Sequence, residues 1–211
     1  MDRLDRQLKF VQEADRLKGV LRHTQLTEPP RRENSAEHSW HLALMALALA
    51  EHAPAGTDIG KVITMLLVHD LVEIDAGDLS VHAPAEAQAH QHAAELAAAD
   101  RIFTLLPAGQ GTALRQVWDE FEERGSTEAR FARALDRLQP MLLDVHAGGR
   151  AWRSQGVTAD QVLSKVTLIE DGSATLGRFA RGLIDQAVAD GILAPAPAPD
   201  TAGPDGPPAG G

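Results

Sequence analysis

The sequence predicts an all-α protein, and three observations carry that expectation. Alanine and leucine dominate a chain that is 44% hydrophobic, whereas aromatic residues make up 4% and tyrosine is absent. That balance favours helix, because small and unbranched side chains lose little freedom there while sheets prefer β-branched and aromatic ones. Apolar residues recur at three- and four-residue spacing along most of the chain, and no alternating run competes with them. The last stretch, from Ala194 onward, consists of proline, alanine, glycine, aspartate and one threonine. It has nothing to bury, so residues 194–211 are expected to be a disordered tail behind a single domain over 1–193.

The helices follow in order. Leu4, Leu8, Val11 and Leu17, with charges between them, predict an amphipathic helix over about 3–21. A polar loop follows, HTQLTEPPRRENS, broken by Pro29 and Pro30. Asn34 with Glu37 three residues later reads as a capping box, so a second helix starts near Ser35 and stops at Pro54 and Gly56. A third, from about Asp58 to Ile74, is apolar on most faces and therefore central, with Gly77 as its stop. A fourth spans about 85–106 before Pro107, a fifth 113–124 before Gly125, and a sixth 127–146 before Gly148 and Gly149. Two more follow Thr158 and Ser173. Pro140 lies inside the sixth, where it removes the hydrogen bond to the Asp136 carbonyl and should bend the helix.

Composition also excludes. The formal charge of −10 argues against a broad nucleic-acid-binding face. A small anionic substrate is still compatible if a metal and a few arginines reverse the field locally. With no cysteine there is no disulfide, no thiolate metal site and no cysteine nucleophile. The charged start, MDRLDRQLKF, is not a signal peptide, and no apolar run reaches the roughly 18 residues of a membrane span. A cytoplasmic protein with no membrane partner is expected.

Chemistry concentrates in four places: His38 at a helix start, the His69-Asp70 doublet, the acids Glu73 and Asp78 just after it, and Asp136 far downstream. Histidine with carboxylate and without cysteine suits one divalent transition ion such as Mn, Co, Fe, Ni or Zn. The doublet sits in the strongly apolar VITMLLVHDLV, where buried charge is costly unless paired or metal-bound. Glu73, three residues from Asp70 and four from His69, shares their side of a helix, which is where a general acid or base would stand. Arg133 and Arg137 flank Asp136, so a surface ion pair is its plainer reading. Arg31 and Arg32 read first as solvated loop charges, and the scattered His41, His82, His90 and His92 as surface residues.

The segments RRENSAEHSWHLALMALALAEHA, KVITMLLVHDLVEIDAGDLS and STEARFARALDRLQPMLL together resemble the HD-domain phosphohydrolases. Within them they are similar to the branch holding bacterial 5′-deoxynucleotidases and their eukaryotic relatives, over about residues 15–190. The resemblance implies a helical bundle with one ion held by His38, His69, Asp70 and Asp136. It also implies Glu73 as the catalytic acid, Asp78 as a second acid near the substrate sugar, and Arg22 as a phosphate-holding arginine. The chain departs from the family at HTQL, where a glycine and an aromatic are expected after Arg22. The implied reaction is hydrolysis of a small phosphomonoester, a deoxyribonucleoside 5′-monophosphate, by a homodimer. Two other readings stand beside it: another HD-type hydrolysis, of a phosphodiester or pyrophosphate, and a non-catalytic regulatory domain that keeps a metal for structure.

Overall fold

The computed structural model describes residues 2–28, 30–80 and 83–197. Ten α-helices and one short hairpin are found among them. The helices are α1 (Arg3–Ala14), α2 (Ser35–Ala48), α3 (Ile59–Val68), α4 (Glu73–Ala76), α5 (Ala85–Phe103), α6 (Ala108–Glu123), α7 (Thr127–His146), α8 (Arg150–Gln155), α9 (Ala159–Gly172) and α10 (Ala174–Ala189). Strands β1 (Leu21–Gln25) and β2 (Arg32–Asn34) pair antiparallel. The all-α class holds. Most of the expected tail lies outside the described residues; Ala194 itself is bridged to Thr158.

Helix α7 is the spine. It packs along α9, which packs along α10, and α3 and α2 close its other side. Phe121, Phe131, Leu42, Met65, Leu66 and Ile169 fill this core with at most 1% exposure. Burial of each such side chain contributes roughly 1.5–3 kcal/mol. Gly172 lets α9 approach α7: a Cβ there would stand 2.2 Å from the Arg130 carbonyl oxygen. A smaller apolar cluster joins Leu17, Val68, Leu71, Ile102, Phe103 and Trp118. The site lies between the two clusters.

Several boundaries differ from expectation. The first helix ends at Ala14 and tightens into a 3-10 turn over Asp15–Gly19. The expected polar loop contains the β1–β2 hairpin, with Leu21 opposite Asn34 and Gln25 opposite Arg32. Its strands, LRHTQ and REN, are too short and polar to show an alternating pattern. Arg32 secures the hairpin by donating to the Leu21 carbonyl at 2.6 Å, and also to that of Arg22. Helix α6 starts at Ala108 rather than 113, because Pro107 is well placed just before a first turn. Within the added turn, Gly111 allows close contact with the Phe103 carbonyl. Helix α8, only six residues long, is an element that the sequence reading lacks.

The most consequential difference is in the third helix. The apolar run is α-helical only to Val68, then passes through a 3-10 turn at His69–Val72 into α4, which ends at Gly77 with φ of +73°. The 3-10 turn is tighter, about three residues per turn, and often marks a functional position. The metal-type doublet lies at this change of winding. Helix α7, by contrast, runs through Pro140 from Thr127 to His146.

Candidate metal centre and cleft

His38 stands in the first turn of α2, fixed by the predicted capping box: Glu37 N donates to Asn34 Oδ1 at 3.0 Å and Asn34 N to Glu37 Oε1 at 2.6 Å. The histidine has no exposed surface. Its Nδ1 donates to Gln139 Oε1 at 3.1 Å, leaving Nε2 towards Asp136 Oδ1 at 3.2 Å. Gln139 Nε2 in turn donates to Glu33 Oε1 at 2.6 Å and towards His41 Nδ1 at 3.2 Å. This chain fixes both the tautomer and the ring plane of His38.

His69 is oriented by the backbone. Its Nδ1 donates to the Leu66 carbonyl at 2.9 Å, while Trp118 Nε1 donates to the His69 carbonyl at 3.1 Å. With Nδ1 protonated, Nε2 carries a lone pair, and it is buried without a hydrogen-bond partner. Around it stand Asp70 Oδ1 at 3.0 Å and Asp136 Oδ1 at 3.8 Å. Ligand atoms of His38, His69 and Asp136 all lie within 4.8 Å of one another. Lone pairs converging on one buried point repel each other unless a cation sits among them, so these residues fit a divalent ion. They form the one such group of three found among the described residues.

Asp136 comes from a polar stripe of α7, with Arg133 and Gln139 three residues to either side and all three buried. The plainer reading as a surface ion pair is therefore corrected. The arginines are present, Arg137 at 3.5 Å and Arg133 at 3.6 Å from Asp136 Oδ2, but the carboxylate is in the interior. Burial opposes its charge, yet the Arg137 guanidinium leads the interactions that hold the carboxyl well below its usual range.

Asp70 adjoins the cluster, with Oδ2 at 3.9 Å from His38 Nε2 and accepting from Arg22 Nη1 at 2.7 Å. Arg22, on β1, also stands 3.7 Å from Glu73 Oε1 and from Asp78 Oδ1. Burial disfavours its charge, but Asp70, Glu73, Asp78 and Asp136 together raise its pKa. Glu73 is 8% exposed and accepts from Ser35 Oγ at 2.5 Å. Burial first, and then the nearby Asp70 and Asp78 charges, push its carboxyl well above the usual range, against Arg22 and Ser35. Asp78 Oδ2 accepts from the His23 backbone N–H at 3.0 Å. The structure thus brings together all seven site residues read from the sequence.

The centre opens into a polar cleft of about 430 Å³. Arg22, Arg124, Arg133, Arg137 and Lys165 line it alongside six acids, among them Glu95 and Glu122, so the cleft is highly charged with both signs. Sequence reasoning missed Glu33, Gln139 and the convergence of these arginines and Lys165 on the cleft. A signal existed in Arg133, Asp136 and Gln139 at three-residue spacing on one helix side. Arg31 and Arg32 are structural: Arg31 pairs with Glu37 at 2.6 and 2.7 Å, and Arg32 ties the hairpin. His92 lines the cleft, whereas His82 lies outside the described residues.

A helical scaffold that gathers two histidines and an aspartate below a charged cleft has the donor set of a divalent-metal site. The HD domain family model matches residues 14–176, and the chain belongs to that family. It is 32% identical over 141 residues to the 5′-deoxynucleotidase HDDC2 of Xenopus laevis, covering 64% of this chain and 66% of that protein. It is 29% identical over 138 residues to that of Homo sapiens, covering 64% and 65%. The match to these two curated relatives therefore spans just under two thirds of their length. The structure is also similar to that of a predicted metal-dependent phosphohydrolase from Magnetospirillum magnetotacticum MS-1. That TM-score is 0.87 at 49% identity, covering 92% of this chain and 99% of the other. A conserved hypothetical protein from Pyrococcus furiosus shares the fold, with TM-score 0.60 at 20% identity.

Proposed function

We propose that the protein hydrolyses phosphomonoesters, and deoxyribonucleoside 5′-monophosphates in particular, to nucleoside and inorganic phosphate. The observation that carries this is the placement of Arg22, Glu73 and Asp78 around the buried cluster. A purely structural metal site does not need a buried arginine and two further acids facing an open polar cleft. The names of the HDDC2 relatives support the nucleotide, and similarity to the Magnetospirillum phosphohydrolase supports metal dependence.

His38, His69, Asp70 and Asp136 would hold the ion, one divalent transition metal. When bound it supplies Lewis-acid polarisation and a lowered pKa for water. Arg22 presents its planar fork of donors to the phosphoryl oxygens and offsets the charge that develops there. Glu73, kept protonatable by burial and held by Ser35, transfers the proton between attacking water and leaving 5′ oxygen. Asp78, anchored by the His23 amide, accepts from a sugar hydroxyl. In balance, water adds to phosphorus, the ester P–O bond breaks, and the leaving oxygen ends as a hydroxyl.

Metal-reconstituted protein should release phosphate from deoxyribonucleoside 5′-monophosphates faster than from ribonucleotides, diesters or pyrophosphates. Chromatography of the products together with a colorimetric phosphate assay over such a panel checks this. Preference for a diester or pyrophosphate, or no turnover with any metal, contradicts it.

We also infer a cytoplasmic homodimer. Leu4, Leu8 and Val11 on α1, and Trp40, Leu44 and Leu47 on α2, form exposed apolar stripes at helical spacing, which supports association of two copies. Among the described residues no helix is long and apolar enough to cross a membrane. Light scattering at micromolar concentration should give twice the 22.6 kDa chain mass; a monomer mass rejects the dimer.

A further inference from the structure

A second cavity opens beside the cleft. The two share Arg22, Asp78, Arg137 and Lys165, but the second cavity leads away from the His38–His69–Asp136 cluster. Pro140 and Met141 of α7, Trp152 of α8 and Val162 of α9 give it apolar walls. Two acids line it, Asp78, shared with the cleft, and Asp144 among these apolar walls. Asp144 is 6% exposed, and its Oδ1 is fully buried with no hydrogen-bond partner. A buried carboxyl in that condition costs stability, and folded proteins keep few of them. Burial alone pushes its pKa up to about 7. None of the roles described above uses it.

We propose that this cavity receives the nucleobase of the substrate and that Asp144 hydrogen-bonds the polar edge of the base. The proposal rests on the nucleotide reading above. With the phosphate at Arg22 and the sugar at Asp78, the remaining part of a nucleotide has to leave the cleft. The adjoining cavity begins at those two residues. Apolar walls with an indole and, among them, a buried carboxyl that lacks a hydrogen-bond partner suit a flat heterocycle carrying ring N–H and amino donors. A carboxyl accepts from such donors, and in its neutral form donates to a ring nitrogen or carbonyl as well.

Sites built to bind a ligand are paid for in stability, so the two effects of removing Asp144 should run in opposite directions. The test compares wild type, Asp144→Leu and Asp144→Asn on dAMP, dGMP, dCMP, dTMP and the base-free 2-deoxyribose 5-phosphate, with melting temperature and metal content measured alongside. In Asp144→Leu the preference in kcat/KM for the best nucleotide over the base-free substrate should fall about ten- to hundred-fold, the size of one lost buried hydrogen bond. Its melting temperature should be held or raised. Asp144→Asn, which exchanges an acceptor for a donor, should re-rank the four nucleotides. An unchanged preference and ranking in both variants overturns the proposal. So does a lowered melting temperature with all substrates declining together, which marks a structural residue. If wild type cleaves 2-deoxyribose 5-phosphate but prefers no nucleotide over it, the base pocket is wrong while the phosphohydrolase stands. If it cleaves none of the five, both readings fail.

Discussion

Alanine at His69 leaves a protein without its divalent ion and with phosphate release at background. His69 reaches the cluster through a single Nε2, whose other ring nitrogen is committed to the Leu66 carbonyl, and no neighbouring group can replace it. Changes to groups that only orient a ligand already lower metal affinity about 10–100-fold, so removal of a direct ligand costs more. His38→Ala, Asp70→Ala and Asp136→Ala should behave alike. Asp136→Ala carries an added penalty, since it removes the carboxylate beside Arg137 and leaves Arg133 with Glu122 alone. Asp136→Asn, which keeps the volume, separates metal loss from that packing and charge effect. Elemental analysis and phosphate release on the same samples check the series, with helical circular dichroism as the control for folding. Full metal in all four alanine variants refutes the ligand assignment.

Glu73→Gln keeps the metal and the fold but loses about 10²–10⁴-fold in turnover, the usual range for a positioned acid or base. The side chain starts α4 directly after the His69–Val72 turn, within one turn of both His69 and Asp70, yet outside the cluster of ligand atoms. Ser35 donates to it, and glutamine can still accept that hydrogen bond through its amide oxygen. What glutamine cannot do is exchange a proton. Glu73→Ala should be equally inactive. If Glu73 were instead a structural partner of the ligands, Glu73→Gln would lose metal and keep partial activity. Single-turnover phosphate release with metal content measured in parallel distinguishes these, and an active Glu73→Gln removes the proton-transfer role.

Local signals in the sequence held where local physics decides the outcome. Asn34 and Glu37 announce the start of α2, and with it the position of His38, because a capping box needs only four consecutive residues. The apolar setting of VITMLLVHDLV announces a buried doublet, since unpaired charge does not persist in such a run. What stays hidden depends on distant contacts. The β1–β2 hairpin is polar and short, so it shows no period, and it is held by pairing and by Arg32 rather than by a buried face. The break from α to 3-10 winding at His69 has no residue signal of its own, with neither glycine nor proline near it. Glu33 and Gln139 lie 106 residues apart and meet only in the folded chain. Asp136 between two arginines looks like a surface pair because sequence shows neighbours, not burial.

The central claim is that one buried point, bounded by His38, His69 and Asp136 with Asp70 beside it, holds the ion on which hydrolysis depends. Anomalous diffraction at the absorption edge of the reconstituted metal, from crystals of protein whose phosphate release has been measured, addresses it directly. A single strong peak among the Nε2 atoms of both histidines and the Asp136 carboxylate is predicted. An active protein whose anomalous peak lies elsewhere, with no peak at that point, would contradict it.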